Sequence, residues 1–226
     1  MKDVLDLYQQ SYDPNYPVIC MDEKPYQLLG ETRHAIPMKR GRPKRLDDEY
    51  VRKGERYMIG MVLEKMILYF GSDAKRIHHA MKVYCFSCAL WDDEARTTGL
   101  SDSDERKNTL LLAAVLHDIG IHEAERKYNS SAGQFQEIEG PSIAEKILEE
   151  CNADPRLSAR VCYLVGHHHT YNLIDDLDFQ ILVEADLLVN LDEDKIDREA
   201  ILSVREKFMK SAGAKKILDI LLLSTT

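Results

Sequence analysis

The stretch LLLAAVLHDIGIH at residues 110–122 decides how the rest of the chain is interpreted. Its first seven residues are all apolar, which predicts a helix buried on every side. The helix runs into His117 and Asp118 and is broken by Gly120. Burying a carboxylate is costly unless it is paired or bound to a metal. Two interpretations follow: a metal site, or a helix C-terminus at which the imidazole interacts with the last carbonyls.

The amino-acid composition indicates the cellular compartment of the protein and the class of partner that it can bind. The 226 residues carry a formal net charge of −9, and no apolar run is long enough to span a membrane. The first ten residues lack the features of a signal peptide. The five cysteines are an odd number scattered along the chain, which suits a reducing compartment. We therefore expect a cytoplasmic protein with no membrane partner.

The chain changes character near residue 57. Residues 1–57 are nearly neutral and contain most of the prolines, with one short predicted strand at 17–23 and a basic loop, KRGRPKR, at 39–45. This part has too few apolar residues for a core of its own. Residues 58–226 carry the excess of acidic over basic residues, and their sequence predicts successive helices. We predict a poorly structured N-terminal extension followed by one helical domain.

The N-terminal part resembles a fragment of another family. The stretch that begins DVLDLYQQSYDPNYPVICMDEK and continues to about residue 54 is similar to an internal piece of the mariner-like DDE transposases of bacterial insertion sequences. The resemblance implies that Asp22 matches the first of that family's three metal-binding carboxylates. One carboxylate cannot arrange two metals, so transposition is not expected. The 39–45 segment also resembles an AT-hook, which leaves minor-groove DNA binding as one alternative and a solvated basic loop as the other.

Histidines are concentrated in the second part. His79 shares a helical face with apolar residues, and Asp186 lies within an otherwise apolar predicted helix. For His79 the alternative is a core histidine whose hydrogen bonds are satisfied within the protein. For residues 167–169 the alternative is a histidine run exposed to solvent. Seven of the eight histidines fall into three clusters in this part: 78/79, 117/122 and 167–169. A donor set of two imidazoles and two carboxylates suits octahedral Mn²⁺, Fe²⁺, Mg²⁺ or Co²⁺ better than structural zinc.

The order H…HD…D resembles the HD-domain superfamily of metal-dependent phosphohydrolases over about residues 60–195. The resemblance rests on IHHAMKV around the first histidine, LLLAAVLHDIG around the pair and LVEADLLVN around the last aspartate. It implies an all-α fold, a helical bundle that encloses the metal site. The implied metal ligands are His79, His117, Asp118 and Asp186.

The sequence does not decide whether the site binds a second metal ion. The histidine that many relatives place before the glycine of the next helix is Gln136 here, and Ile121 replaces a lysine typical of one branch. Paired histidines serve a second metal in binuclear relatives, which makes His167 and His168 candidates. Because His168 continues the apolar face marked by Val161, we expect it to contribute most, with His167 next.

The resemblance implies hydrolysis by metal-activated water, with Asp118 holding both metal and water. We expect His168 and Lys127 to act beside it, and Arg76, Lys82 and Lys127 either to neutralise phosphate oxygens or to be surface charges. The expected substrate is a nucleotide or another phosphate ester. The alternatives are an HD module that senses a nucleotide without turnover and DNA binding through residues 39–45. Substrate identity and oligomeric state are not determined by the sequence.

Overall fold

The computed structural model describes residues 29–31, 50–52, 55–100 and 105–224, with side chains from Met58 onward. The chain divides into two compact units, Met1–Lys53 and Gly54–Thr226. The predicted strand at 17–23, Asp22 and the basic loop at 39–45 lie outside the described residues. The relationship to transposases therefore stays a prediction, as does DNA binding through the basic loop.

The first unit contains a small antiparallel sheet. Strands β1 (Leu29–Glu31) and β2 (Tyr50–Arg52) pair with Leu29 opposite Arg52 and Glu31 opposite Tyr50. The sequence did not predict these strands. Three residues are too few to show the alternation of polar and apolar side chains by which a strand is recognised.

The described residues of the second unit form helices joined by short turns and loops, with no strand among them, which confirms the prediction of an all-α bundle. No helix among those residues is long and apolar enough to cross a membrane. A 3₁₀ turn at Tyr171–Leu173 precedes the seventh helix, and a π turn at Asp219–Leu223 follows the ninth. The helices are α1 (Glu55–Phe70), α2 (Ala74–Thr98), α3 (Glu105–Leu116), α4 (Ile121–Tyr128), α5 (Gly133–Glu150), α6 (Pro155–Val165), α7 (Leu177–Glu193), α8 (Arg198–Phe208) and α9 (Ala212–Leu218).

Helices α3 and α7 form the centre of the bundle. Every residue from Leu110 to Leu116 is buried, as expected for a helix that is apolar on all sides. Helix α3 contacts α1, α2, α6 and α7, and α2 packs along α7. Residues at the end of α3 and in the middle of α2 and α7 therefore face one another inside the core.

Two helix boundaries differ from the sequence-based expectation. Pro141 suits the first turn of a helix, so the sequence predicts a helix over residues 140–151; helix α5 instead begins at Gly133 and contains Pro141 in its interior. Gly213 predicts a break between two closing helices over residues 198–223, but the break lies at residues 209–211. There the buried Glu184 carboxylate of α7 accepts hydrogen bonds from the backbone N–H of Ser211 at 2.9 Å and from its hydroxyl at 2.6 Å. Because tertiary hydrogen bonds fix this break, the local sequence pattern does not predict its position.

Gly120 allows α5 to pack directly on the turn that carries the HD pair. A Cβ atom at Gly120 would lie 2.6 Å from the carbonyl oxygen of Gln136 and 2.6 Å from the backbone nitrogen of Gly140. Atoms cannot approach so closely, so any other residue would push α5 away. The helix predicted to break at Gly120 ends earlier, at Leu116, and Gly120 instead precedes α4 and sets the distance between α5 and the turn.

Candidate metal centre

Four segments bring polar side chains to one place in the core. Helix α2 supplies His79 and α7 supplies Asp186, whereas His117 and Asp118 lie in the turn after α3. The turn after α6 supplies histidines from the run 167–169. Turns that directly follow buried helices place polar groups inside the protein without interrupting a helix.

The four predicted ligands converge. The Nε2 atoms of His79 and His117 are 3.2 Å apart. Oδ1 of Asp186 lies 3.2 Å from the first and 3.5 Å from the second. Oδ2 of Asp118 lies 3.6 Å from Nε2 of His79 and 3.5 Å from Nε2 of His117. Nitrogen and oxygen atoms from four separate positions therefore surround one point.

The imidazole rings are oriented for ligation. Nδ1 of His117 lies 2.9 Å from the carbonyl oxygen of Ala114, and Nδ1 of His79 lies 3.1 Å from Oε2 of Glu193. Both partners only accept hydrogen bonds, so each Nδ1 carries a proton. When such a ring is neutral, its Nε2 lone pair therefore points inward. Two lone pairs at 3.2 Å repel unless a proton or a cation lies between them. The donor set therefore fits a divalent metal ion, and we call His79, His117 and Asp186 the primary group.

The electrostatics of the primary group agree with this assignment. Burial alone would lower the pKa of His117, but the Asp118 and Asp186 carboxylates raise it to about 9. Burial also opposes charge on Asp186, yet His117 and His79 hold its pKa well below the usual range. Without a metal, imidazolium protons therefore balance the carboxylates. A cation can displace those protons, because ligation requires neutral imidazole.

A second group of donors adjoins the first. Donor atoms of Asp118, His168 and His169 lie within 4.8 Å of one another, and we call these residues the secondary group. Nε2 of His168 is 3.4 Å from Oδ1 of Asp118, whose other oxygen faces the primary group. Nδ1 of His168 lies 2.9 Å from the carbonyl oxygen of Val165, which again turns Nε2 inward. Asp118 thus belongs to the secondary group and also contacts the primary one.

His169 was not among the predicted site residues. Its ring packs on Gly133, where a Cβ atom would lie 2.4 Å from the imidazole. Burial, together with the neighbouring His168, lowers the pKa of His169 to about 4. The only sequence signal for this residue is its position four residues after Val165.

Two predicted catalytic or metal residues lie outside both groups. His167 turns away, with its ring stacked on Tyr163 at 4.5 Å and its Nδ1 2.7 Å from the carbonyl oxygen of the same residue. Lys127 forms ion pairs with Glu139 at 2.6 Å and Glu123 at 3.3 Å. The structure therefore places Lys127 in an acidic network of α4 and α5, not beside the HD pair.

The other basic residues considered from the sequence also have acidic partners. Arg76 pairs with Asp73 and, at 2.6 Å, with Glu125. Lys82 pairs with Glu193 at 2.9 Å. Arg76, Lys82 and Lys127 thus each pair with a carboxylate outside the two donor groups.

Helix α7 supplies two supporting residues that sequence reasoning missed. Nδ2 of Asn190 donates to Oδ1 of Asp186 at 2.9 Å, and Glu193 accepts from His79. Asp186, Asn190 and Glu193 are spaced i, i+4 and i+7, so they share one face of the helix. That spacing in DLLVNLDE was the available signal, and it was visible only after Asp186 had been singled out.

Comparison with known proteins identifies the family. A family model described as the HD domain matches residues 76–206, which is more than half of the chain and includes every member of both groups. Searches of curated proteins and of solved structures found no match to the chain. The matched segment, the helical bundle and the convergent His and Asp donors lead to one conclusion. The chain belongs to the HD domain family.

Proposed function

We propose that the chain is a divalent-metal-dependent phosphohydrolase that acts on a nucleotide or another phosphate ester. The observation that carries the proposal is the primary group, in which two Nε2 atoms 3.2 Å apart face Oδ1 of Asp186 in a buried position. All four predicted ligand positions are filled by residues that can bind a metal. A buried set of this kind is costly to maintain without a cation.

The metal would be held by His79, His117, Asp186 and Asp118. When bound, a divalent ion supplies Lewis-acid charge and lowers the pKa of a coordinated water. Nitrogen and carboxylate donors suit Mn²⁺, Fe²⁺, Mg²⁺ or Co²⁺ better than structural zinc. The secondary group offers a place for a second ion, because Asp118 presents one oxygen to each group.

The residues of the chain have distinct tasks in this proposal. Asp118 is the ligand that reaches solvent, since its side chain is 19% exposed whereas those of His117 and Asp186 are 0% and 3% exposed. It can therefore hold and orient an attacking water beside the metal. His168 and His169 have Nε2 atoms with no hydrogen-bond partner among the described residues. An unprotonated Nε2 can bind the second ion, and a protonated one can donate to a phosphate oxygen; Oδ1 of Asp118 lies 3.4 Å from Nε2 of His168.

An HD module that senses a nucleotide without hydrolysing it is the alternative function. The filled ligand positions favour the enzyme, because a sensor does not need a complete set of ligands. The proposed setting is the cytoplasm, with a small phosphorylated substrate and no nucleic-acid partner.

A metal analysis followed by a substrate screen tests the proposal. Purified full-length protein would be analysed for bound metals and assayed against a panel of nucleotides and simple phosphate esters with added Mn²⁺. We expect a bound divalent metal and phosphate release that disappears in His117→Ala and persists in His78→Ala, since His78 is exposed and belongs to neither group. Nucleotide binding without phosphate release would favour the sensor. Absence of metal binding would contradict the enzyme, whereas an HD module that senses a nucleotide can be metal-containing or metal-free.

A further inference from the structure

The histidines of the site differ in what holds their Nδ1 atoms. His117 and His168 each use a backbone carbonyl three residues earlier, Ala114 and Val165, both at 2.9 Å. His79 instead uses a carboxylate from another helix, Glu193, at 3.1 Å. The first two supports are local and always present, whereas the third depends on an ionisable side chain 114 residues away.

The position of His79 explains this difference. His117 and His168 come just after the ends of α3 and α6, where carbonyl groups lack partners within the helix. His79 lies inside α2, where the carbonyl groups accept intrahelical hydrogen bonds. An acceptor for its Nδ1–H must therefore come from a neighbouring helix. The C-terminal end of α7 supplies it.

Glu193 is itself held in place. Its side chain is only 16% exposed, and Nζ of Lys82 contacts Oε1 at 2.9 Å while Oε2 faces His79. Each oxygen therefore has its own partner. Lys82 and His79 are three residues apart on α2, so they meet one carboxylate from the same side of the helix.

We propose that Glu193, held by Lys82, is a positioning residue that fixes the orientation and tautomer of His79 as a metal ligand. The inference rests on the proposed metal-dependent function. Carboxylates that accept the second N–H of a ligating histidine orient the ring and raise its basicity. Lys82 therefore acts through Glu193 and needs no contact with a phosphate.

Metal affinity measured in full-length protein tests this role. Metal-free protein would be titrated with Mn²⁺ by calorimetry in four variants: Glu193→Ala, Glu193→Gln, Lys82→Met and Glu150→Gln. The last is a matched control, because Glu150 also pairs with a lysine, Lys65 at 2.5 Å, but on the surface and outside both groups.

We expect Glu193→Ala to raise the Kd for Mn²⁺ about 10- to 100-fold, the usual range for loss of such a partner. Glu193→Gln keeps an acceptor oxygen and should recover part of the affinity, Lys82→Met should weaken binding less, and Glu150→Gln should not change it. The electron paramagnetic resonance spectrum of bound Mn²⁺ should change in Glu193→Ala, because the coordination of the ion changes.

The outcomes separate this inference from the proposed function. If Glu193→Ala binds Mn²⁺ as tightly as the unmodified chain, Glu193 is not a positioning residue, whatever happens to the melting temperature. If the unmodified chain binds none of Mn²⁺, Fe²⁺, Mg²⁺ and Co²⁺, the proposed function itself is wrong. Should Glu193→Ala fail to fold, as judged by circular dichroism, the Kd of Glu193→Gln decides: an unchanged value overturns the inference.

Discussion

The primary and secondary donor groups lie side by side but differ in how fully their polar atoms are paired. In the primary group, Asp186 accepts from Asn190, and His79 has Glu193 as its second partner. In the secondary group, the Nε2 atoms of His168 and His169 have no hydrogen-bond partner among the described residues. The polar atoms of the first group are therefore held in place by neighbouring side chains, whereas the second group keeps hydrogen-bonding capacity that the described residues do not use.

Asp118 links the two groups. Its Oδ2 faces the primary histidines at 3.5 and 3.6 Å, and its Oδ1 faces His168 at 3.4 Å. The contrast between the groups yields predictions that differ in size, because removing a primary ligand should affect binding of the ion and removing a secondary one should affect turnover.

The largest expected effect is that of His117→Ala. This change removes a fully buried Nε2 donor from the primary group, so bound metal and activity should both be lost. Elemental analysis and the phosphate-release assay measure the two quantities. A variant that keeps one tightly bound metal would show that His117 is not a ligand, and His78→Ala serves as the control.

His168→Ala should lower turnover about 100-fold, the scale typical of a lost acid–base or charge-stabilising group. The metal of the primary group should remain bound, since its ligands are unchanged. His167→Ala is the matched control and should have little effect, because His167 faces Tyr163 instead. Equal turnover in the His168 variant and the unmodified chain at saturating Mn²⁺ would remove the distinction between the two groups.

Asn190→Ala should weaken Mn²⁺ binding about tenfold, the low end of the range for lost ligand support. Asn190 donates to the Asp186 oxygen that faces both primary histidines. The Kd from calorimetry measures the effect. If the loss of affinity instead matched that of His117→Ala, support and ligation could not be separated in the primary group.

The stability of the metal-free protein should fall between about pH 6.5 and pH 9. The pKa of His117 is raised to about 9 in the fold from an ordinary value of 6.5, so its stabilising protonation is complete below pH 6.5 and lost as the pH rises to about 9. His79 shifts in the same direction. The lowered pKa of His169, about 4, affects stability only below this window.

Melting temperatures in the presence of a chelator, recorded across this pH range, test the prediction. His117→Ala should show a smaller slope than the unmodified chain. Added Mn²⁺ should remove the decline or reverse it, because the ion takes the place of the proton. A melting temperature independent of pH in the metal-free protein would contradict the assigned charge balance.

The smallest expected effect is that of removing the N-terminal unit. Both donor groups lie within residues 79–186, inside the unit Gly54–Thr226. We expect limited proteolysis to trim the chain to near residue 55 and to leave a folded remainder with an unchanged Kd for Mn²⁺. Loss of metal binding after trimming would show that the first unit contributes to the site.

Much of the fold and the primary group could be predicted from the sequence, because the signals are local. The apolar run 110–116 predicted a buried helix, and the structure buries all seven residues. The helical period placed His79 on an inward face, and Asp186 stood out as a carboxylate among apolar neighbours. A charged or imidazole side chain on a buried helical face needs a partner, so these residues could be named together before any distance was known.

The ion pairs and hydrogen bonds around the metal ligands were determined only by the tertiary structure. The pairing of Lys82 and His79 with Glu193 joins α2 to the end of α7, and Lys127 pairs with Glu139 of α5. Ion pairs between helices depend on how the helices pack: Lys127 has Glu123 and Glu125 close by in sequence, whereas the acidic residues nearest to Lys82, Asp73 and Asp92, are nine and ten positions away. The distance of a lysine from a motif along the sequence therefore did not predict its distance from the site in the structure.

The histidine run shows most clearly where sequence information ends. The sequence determined that three adjacent imidazoles follow α6, and the helical period could rank them only while the helix continued. Helix α6 ends at Val165, so the backbone of the following turn sets the direction of each ring. There His168 and His169 point toward Asp118 and His167 stacks on Tyr163. The sequence by itself determined the chemistry available to the site, and the tertiary structure selected which side chains take part, because beyond a helix end periodicity no longer specifies direction.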